Sequence, residues 1–329
     1  MISRRLLLAG GVAASFNTSL TRAATETPGF PSRPIRVVVP HPAGGAIDIV
    51  VRKLTSIVTA RRGVAFVVDN VPGASGNIGT AAVARAAPDG YTLVAINSTF
   101  SYSRQLFKNL PWTPQQDPVP VTSLIRTPEV IVVSGQSPYR TLQDLVDDAK
   151  AHPGKLFYGT GGPGSPPHMG GEAFQQAAGI SLTHVPYKGA SEVIVGILQG
   201  SVQLMVAGIP SFTAYLRNGS LRALGIASMG GRRSPAFPDI PTYTEAGFPG
   251  IDGRTNWTGI AAPAGTPAAL LDQLHSLFLE AQQSPEYSAY LAGQASLPGG
   301  LTPRELAALL VSEEQYWSRV ASRAGLVAG

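Results

Sequence analysis

The chain has 329 residues, 44% hydrophobic and 14% charged, with 37 glycines, 28 prolines and no cysteine. It is long enough for two ordinary domains, too apolar for a disordered chain, and free of the G-X-Y period of collagen. Without cysteine there can be no disulfide, thiolate nucleophile or Cys-ligated metal.

Residues 1–24 read as an export signal: Arg4 and Arg5 precede an apolar run from Leu6 to Ala14, and Thr21-Arg-Ala-Ala24 follows. The run is too short to span a bilayer. Ser3-Arg4-Arg5-Leu6-Leu7-Leu8 resembles the twin-arginine consensus, without the basic residue often found there, so twin-arginine and general secretory export both stay open. Removing the signal lowers the formal charge from +5 to +2, with 22 basic residues against 20 acidic. The remaining basic residues form no run interleaved with aromatics, and a nucleic-acid partner is not expected. No later segment reaches 18 uncharged apolar residues, and a soluble mature protein is expected.

After a turn-rich lead-in, Ile35–Val39 reads as a buried strand stopped by Pro40. Apolar residues at Ile47, Val50, Val51, Leu54, Ile57 and Val58 then fall on one helical face. Strands are expected at Ala65–Val68 and Tyr91–Ile96, with a helix at Ile78–Ala87 between them. Beyond a Pro-rich patch at 111–120 the rhythm restarts. It gives strand Val130–Val133, helix Thr141–Ala151, strand Lys155–Tyr158, a glycine-rich loop with its helix, and strand Leu182–Val185. A helix near Ser191–Leu198 and strands Val202–Val206, Leu221–Ile226 and Asn256–Ala261 complete it. Alternating strand and helix argues a mostly parallel α/β sheet. The tail is helical, and Thr266-Pro267, Ser284-Pro285 and Thr302-Pro303 each offer an N-cap hydroxyl before a first-turn proline, with Glu305 completing a capping box.

Two glycine-rich strand-to-helix junctions carry the chemistry. Pro40-His-Pro-Ala-Gly-Gly45 leads into the first helix, and Gly159-Thr-Gly-Gly-Pro-Gly-Ser-Pro-Pro-His168 into a later one that Gly179 ends. Glycine allows close backbone approach, and the free amides of a helix start attract an anion. One such loop is what any tight turn requires. Two of them, on α/β units that face each other, could hold one small carboxylate from both sides. Asp48 beside the first loop would repel that anion and is expected instead to accept loop amides. Ser165 is a natural N-cap, and His168 lies in the first turn, as a ligand contact or as a structural histidine. Tyr187 and Lys188 at a strand end could pair with an acid.

Other chemistries are less well supported. Gly159–Gly164 matches G-x-G-x-x-G, but Thr183 and His184 stand where a dinucleotide site wants an acid. There is no phosphate loop with its lysine and no G-x-S-x-G elbow, and the five histidines lack metal-site spacing. Neither a metal nor any other cofactor is expected.

The blocks Pro34–Asp48, Val68–Gly79, Ala87–Leu93, Val185–Gly189 and Pro241–Gly247 closely resemble the substrate-binding proteins of tripartite tricarboxylate transporters, often called the Bug family. The resemblance runs in order through the mature chain. It implies an α/β fold of the type II periplasmic binding protein kind: two lobes joined by crossing strands, closing on a small carboxylate or related molecule for delivery to a membrane permease. Carried over by position, the binding contacts are Pro42, Ala43, Gly44, Gly45 and Asp48, and Thr160, Gly161, Gly162, Gly164 and Ser165 with His168. Asn77, Ser98 and Thr99 join them as polar groups of the cleft wall. His41, Val71, Ser75, Gly196 and Gln203 depart from the family pattern, and His41 lies against the binding loop.

The expectation is a periplasmic, monomeric, non-enzymatic receptor with one lobe from residues 25–126 plus 251–329 and the other from 127–250. A sensory receptor presenting its closed form to a signalling partner is the alternative, and an enzyme acting in the cleft a further one.

Overall fold

The computed structural model describes residues 29–113 and 116–326; the expected export signal lies outside them. The chain runs β1 (Ile35–Val39), α1 (Ala46–Arg62), β2 (Phe66–Asn70), α2 (Asn77–Ala84), β3 (Thr92–Asn97), α3 (Ser98–Leu106) and β4 (Val119–Ser134). It continues with α4 (Leu142–Ala151), β5 (Phe157–Thr160), α5 (Pro166–Ala178), β6 (Thr183–Pro186), α6 (Ala190–Gln199), β7 (Leu204–Gly208), α7 (Thr213–Arg217) and β8 (Leu221–Ile226). It ends with β9 (Thr255–Ala262), α8 (Ala268–Gln282), α9 (Pro285–Gly293), β10 (Leu297–Pro298) and α10 (Pro303–Arg323).

The strands join in the order β2-β1-β3-β9-β4-β7-β5-β6, with β8 and β10 also paired to β4. The pairings within each wing are parallel: β1 with β2 and β3, β5 with β6 and β7. The centre is antiparallel, because β9 lies between β3 and β4, and β4 also pairs with β7, β8 and β10 in that sense. The expectation of a mostly parallel sheet is thus corrected to a mixed one. Its cause is the pair of strands that return through the middle of the molecule.

Of these, β4 is the longer, and Val130–Val133, the part that reads as strand in the sequence, is only its end. From Val119 to Pro128 it pairs with β9, and from Glu129 to Val133 with β7. The change of partner falls at Pro128, whose missing N–H suits the end of a ladder. Register shifts after Pro120 and Ser123 interrupt the simple alternation of the first part.

Both faces of the sheet are covered, which is why its strands read as continuous apolar runs. On one side of the first wing, Val37, Val39 and Leu93 pack with Leu54 and Ile57 of α1 and Phe278 of α8. On the other, Val38, Val94 and Ile96 meet Leu306 and Leu310 of α10. In the second wing, Ile131 and Val133 face Leu145 of α4 and Phe174 of α5, while Val130 and Val132 face Val193 and Ile197 of α6. Further along α10, Trp317, Val320 and Ala321 join the second wing's cluster together with Tyr102 of α3. One helix therefore serves both halves.

The tail helices begin nearly where their caps place them. Ser284 accepts from the Tyr287 amide, and Thr302 and Glu305 form a complete capping box. Thr266 does not cap α8: Pro267 is the N-cap residue, and the buried Thr266 hydroxyl donates to the Pro263 carbonyl instead. No helix among the described residues is long and apolar enough to cross a membrane.

Candidate functional site

The β1–α1 loop turns through Gly44, whose φ of 77° lies in the left-handed region that favours glycine. That turn aims the Gly44 amide at the Asp48 carboxylate, 2.9 Å away. Asp48 also receives the Arg52 guanidinium at 2.9 Å and the Asn70 amide at 3.0 Å. Burial alone would raise its pKa, but these donors outweigh it and hold the carboxyl below its ordinary range. The charge of Asp48 is thus engaged by the loop amide, Arg52 and Asn70. Gly45 is the N-cap residue of α1, and no side chain caps the helix.

The β5–α5 loop is braced from behind. Thr160 accepts from the Gly162 amide at 3.1 Å and lies 2.6 Å from His184 Nε2. His168 Nδ1 accepts from the Gly164 amide at 3.0 Å, so the imidazole is held as an acceptor beneath the loop. The rings of His168 and His184 stack with centroids 4.0 Å apart. Burial, followed by repulsion from His184, pushes the His168 pKa down to about 4, and burial lowers that of His184. Both are neutral at pH 7 and buttress the loop. Ser165 is the N-cap residue of α5, yet its hydroxyl donates to the Gly162 carbonyl at 2.7 Å and leaves this helix start uncapped as well.

Both uncapped starts open on one cleft of about 1020 Å³. Pro42, Ala43, Gly44 and Gly45 line one side, and Gly161, Gly164 and Ser165 the other, with Thr99 at the α3 start. His41, Ser75 and Asn97 border it too, and Leu106, Phe107 and Leu326 close it. Among the described residues that line it, none is Lys, Arg, Asp or Glu. The titratable group there is His41, whose pKa burial lowers. A smaller depression of about 590 Å³ lies elsewhere, between the 30–34 segment and α8, where Arg62 is paired with Glu280 at 3.0 Å.

The remaining candidates from the sequence lie apart from the cleft lining. Asp48, Thr160 and His168 support its loops from within, and Gly162 turns its backbone polar groups to Thr160 and Ser165. Asn77 is buried and accepts from Trp112 Nε1 at 3.1 Å. Ser98 is buried and accepts from the Trp257 amide at 2.9 Å. Lys188 is exposed, its amide bonded to Glu192, while Tyr187 packs beside α6. Asn97, Leu106, Phe107, Gly325 and Leu326 are among the cleft residues that the sequence did not single out.

A family model described as the tripartite tricarboxylate transporter family receptor matches residues 50–326. The chain belongs to this family. The receptor is periplasmic, as are the members of known structure that it resembles. It is 34% identical over 320 residues to the protein in the tcbD-tcbE intergenic region of Pseudomonas sp. strain P51, covering 97% of this chain and 94% of that one. It is 33% identical over 298 residues to BugT of Bordetella pertussis, covering 90% of each. Among solved structures, the R. palustris protein Rpa4515 with adipate superimposes with a TM-score of 0.79 at 30% identity, over 91% of this receptor and 100% of that chain. The receptor thus has the architecture of a type II periplasmic binding protein. Among its described residues no three His, Asp or Glu side chains are grouped to hold a metal ion.

Proposed function

We propose that the receptor captures a small carboxylate between the β1–α1 and β5–α5 loops and delivers it, in a closed form, to the permease of a tripartite tricarboxylate-type transporter. The observation that carries this reading is the facing of two uncapped helix starts across one cleft that has no charged side chain among the described residues of its lining. Each helix start is worth roughly 0.3–1 kcal/mol to an anion when exposed, and up to about 2 when partly buried. Direct and water-mediated hydrogen bonds from the loop amides supply the rest. Asp48, Thr160 and His168 take up the Gly44, Gly162 and Gly164 amides and so fix the shape of the two loops.

In this reading residues 25–126 and 251–329 form one lobe and 127–250 the other. A ligand bonded to both loops shifts the population toward closure by the contacts it makes only there. The protein works as a monomer and performs no chemistry on its cargo. The relatives of known structure include one solved with adipate and one with malate, which supports a carboxylate as the class of ligand.

The test is a thermal-shift screen of the mature protein against mono-, di- and tricarboxylates, amino acids and aromatic acids. An acid present at 100 times its Kd adds about 2.7 kcal/mol and raises the melting temperature by several degrees. A screen in which no acid stabilises the protein would overturn the proposal.

A further inference from the structure

Beside the main cleft lies a second chamber of about 470 Å³. It shares Ala46, Ile47, Asn97 and Pro166 with the cleft, so the first residues of both α1 and α5 border the two spaces at once. An acid whose carboxylate rests on the helix starts therefore has this chamber within reach of its other end.

The chamber is mainly apolar: Ile49, Ile125, Pro210 and Tyr290 line it along with Ile47. Among its described lining residues none is Lys, Arg, Asp or Glu. Its polar side chains are neutral, and several are already engaged. Ser98 accepts from the Trp257 amide at 2.9 Å, Thr127 pairs with Ser296 at 3.1 Å, and Asn256 donates to the buried Glu129 at 3.1 Å. A charged group brought here would lose its water without gaining a countercharge, whereas a hydrocarbon would gain by burial. The main cleft offers no countercharge either, because His41 is its titratable group and burial favours the neutral imidazole.

Resting on the carboxylate reading above, we infer that this receptor selects monocarboxylates with an uncharged apolar body, the body lying in the Ile47–Ile125–Tyr290 chamber. Dicarboxylates such as those in the names of its solved relatives are then poor ligands for it.

Hexanoate and adipate test this directly, since they share a six-carbon chain and differ at one end, methyl against carboxylate. Calorimetry on the mature protein at pH 7.5 is expected to give hexanoate a Kd at least about tenfold lower, a difference of about 1.4 kcal/mol. Adipate binding as tightly as hexanoate, or more tightly, would overturn the inference and leave the receptor reading intact. Binding of other acids but of neither of these two would do the same. A protein that binds no acid at all would remove both.

A second arm places a cation on the chamber wall. Gln294→Arg, at the C-cap of α9, is expected to move the preference at least about tenfold toward adipate. A folded variant with an unchanged preference would count against the inference, and the wild-type comparison stands whether or not the variant folds.

Discussion

At Gly44 a positive φ and an open space above the Cα coincide: a Cβ built there meets no atom within 4 Å. A side chain at this position would be strained by its backbone, at about 1–3 kcal/mol, and would occupy open space at the cleft lining. Gly44→Val is therefore expected to weaken binding of any stabilising acid at least about tenfold, 1.4 kcal/mol, as read by calorimetry. Unchanged affinity would show that the loop backbone does not meet the ligand. Asp48 makes the same point from the other side. A carboxylate in the first turn of a helix proposed to hold an anion looks like a contradiction until its three donors are seen, after which it is part of the frame.

Elements differ in how openly the sequence announces them. Thr302 and Glu305 spell the start of α10, and the box they form is complete, with Thr302 accepting from the Glu305 amide at 3.2 Å. Thr302→Ala removes that bond at about 1 kcal/mol and is expected to lower the melting temperature by about 2–4 °C with ligand affinity unchanged, as measured by scanning calorimetry and titration. No drop would mean that the cap is redundant with tertiary packing. The flanking strands and the two site loops were equally legible, since apolar runs, glycines and an N-cap serine are local signals. By contrast, α3 was not. Its Ser98, Ser101 and Ser103 are buried beside Phe100 and Tyr102, so no apolar stripe marks it, and Ser101 is held by the Glu313 carboxylate from α10. The first part of β4 was hidden by Pro120 and Pro128, which argue locally against a strand. Leu106, Phe107 and Leu326 reach the cleft only through the packing of α3 and the chain end after α10, information that lies in the tertiary fold. At Gly196, one of the departures from the family pattern, a Cβ would come within 2.7 Å of the Tyr187 hydroxyl.

Across the whole molecule, the place where β4 changes partner is also where two acids are buried. Glu129 accepts from Asn256, and Glu313 accepts from Ser101 at 2.6 Å and Trp257 Nε1 at 2.9 Å. Burial pushes each up to about 7, against the pull of those donors and of Arg254. Between about pH 4.5 and 7 the folded protein therefore keeps protons that the unfolded chain releases, and stability from these groups falls as pH rises. His41, His168, His184 and His275, whose pKa values burial lowers, slope the opposite way over the acid part of that range, so a difference between variant and wild type isolates the glutamates. Glu313→Gln is expected to melt with the wild type near pH 4.5 and at least about 2 °C above it at pH 8. A variant less stable at pH 8 would mean that the ionised carboxylate is preferred. The helix that carries Glu313 has a further consequence. Because α10 fills one core with Leu306 and Leu310 and the other with Trp317 and Val320, neither half completes its packing until the final stretch of polypeptide arrives. A nascent chain short of that stretch exposes two greasy wounds together, and shielding them falls to chaperones well before any solute is met.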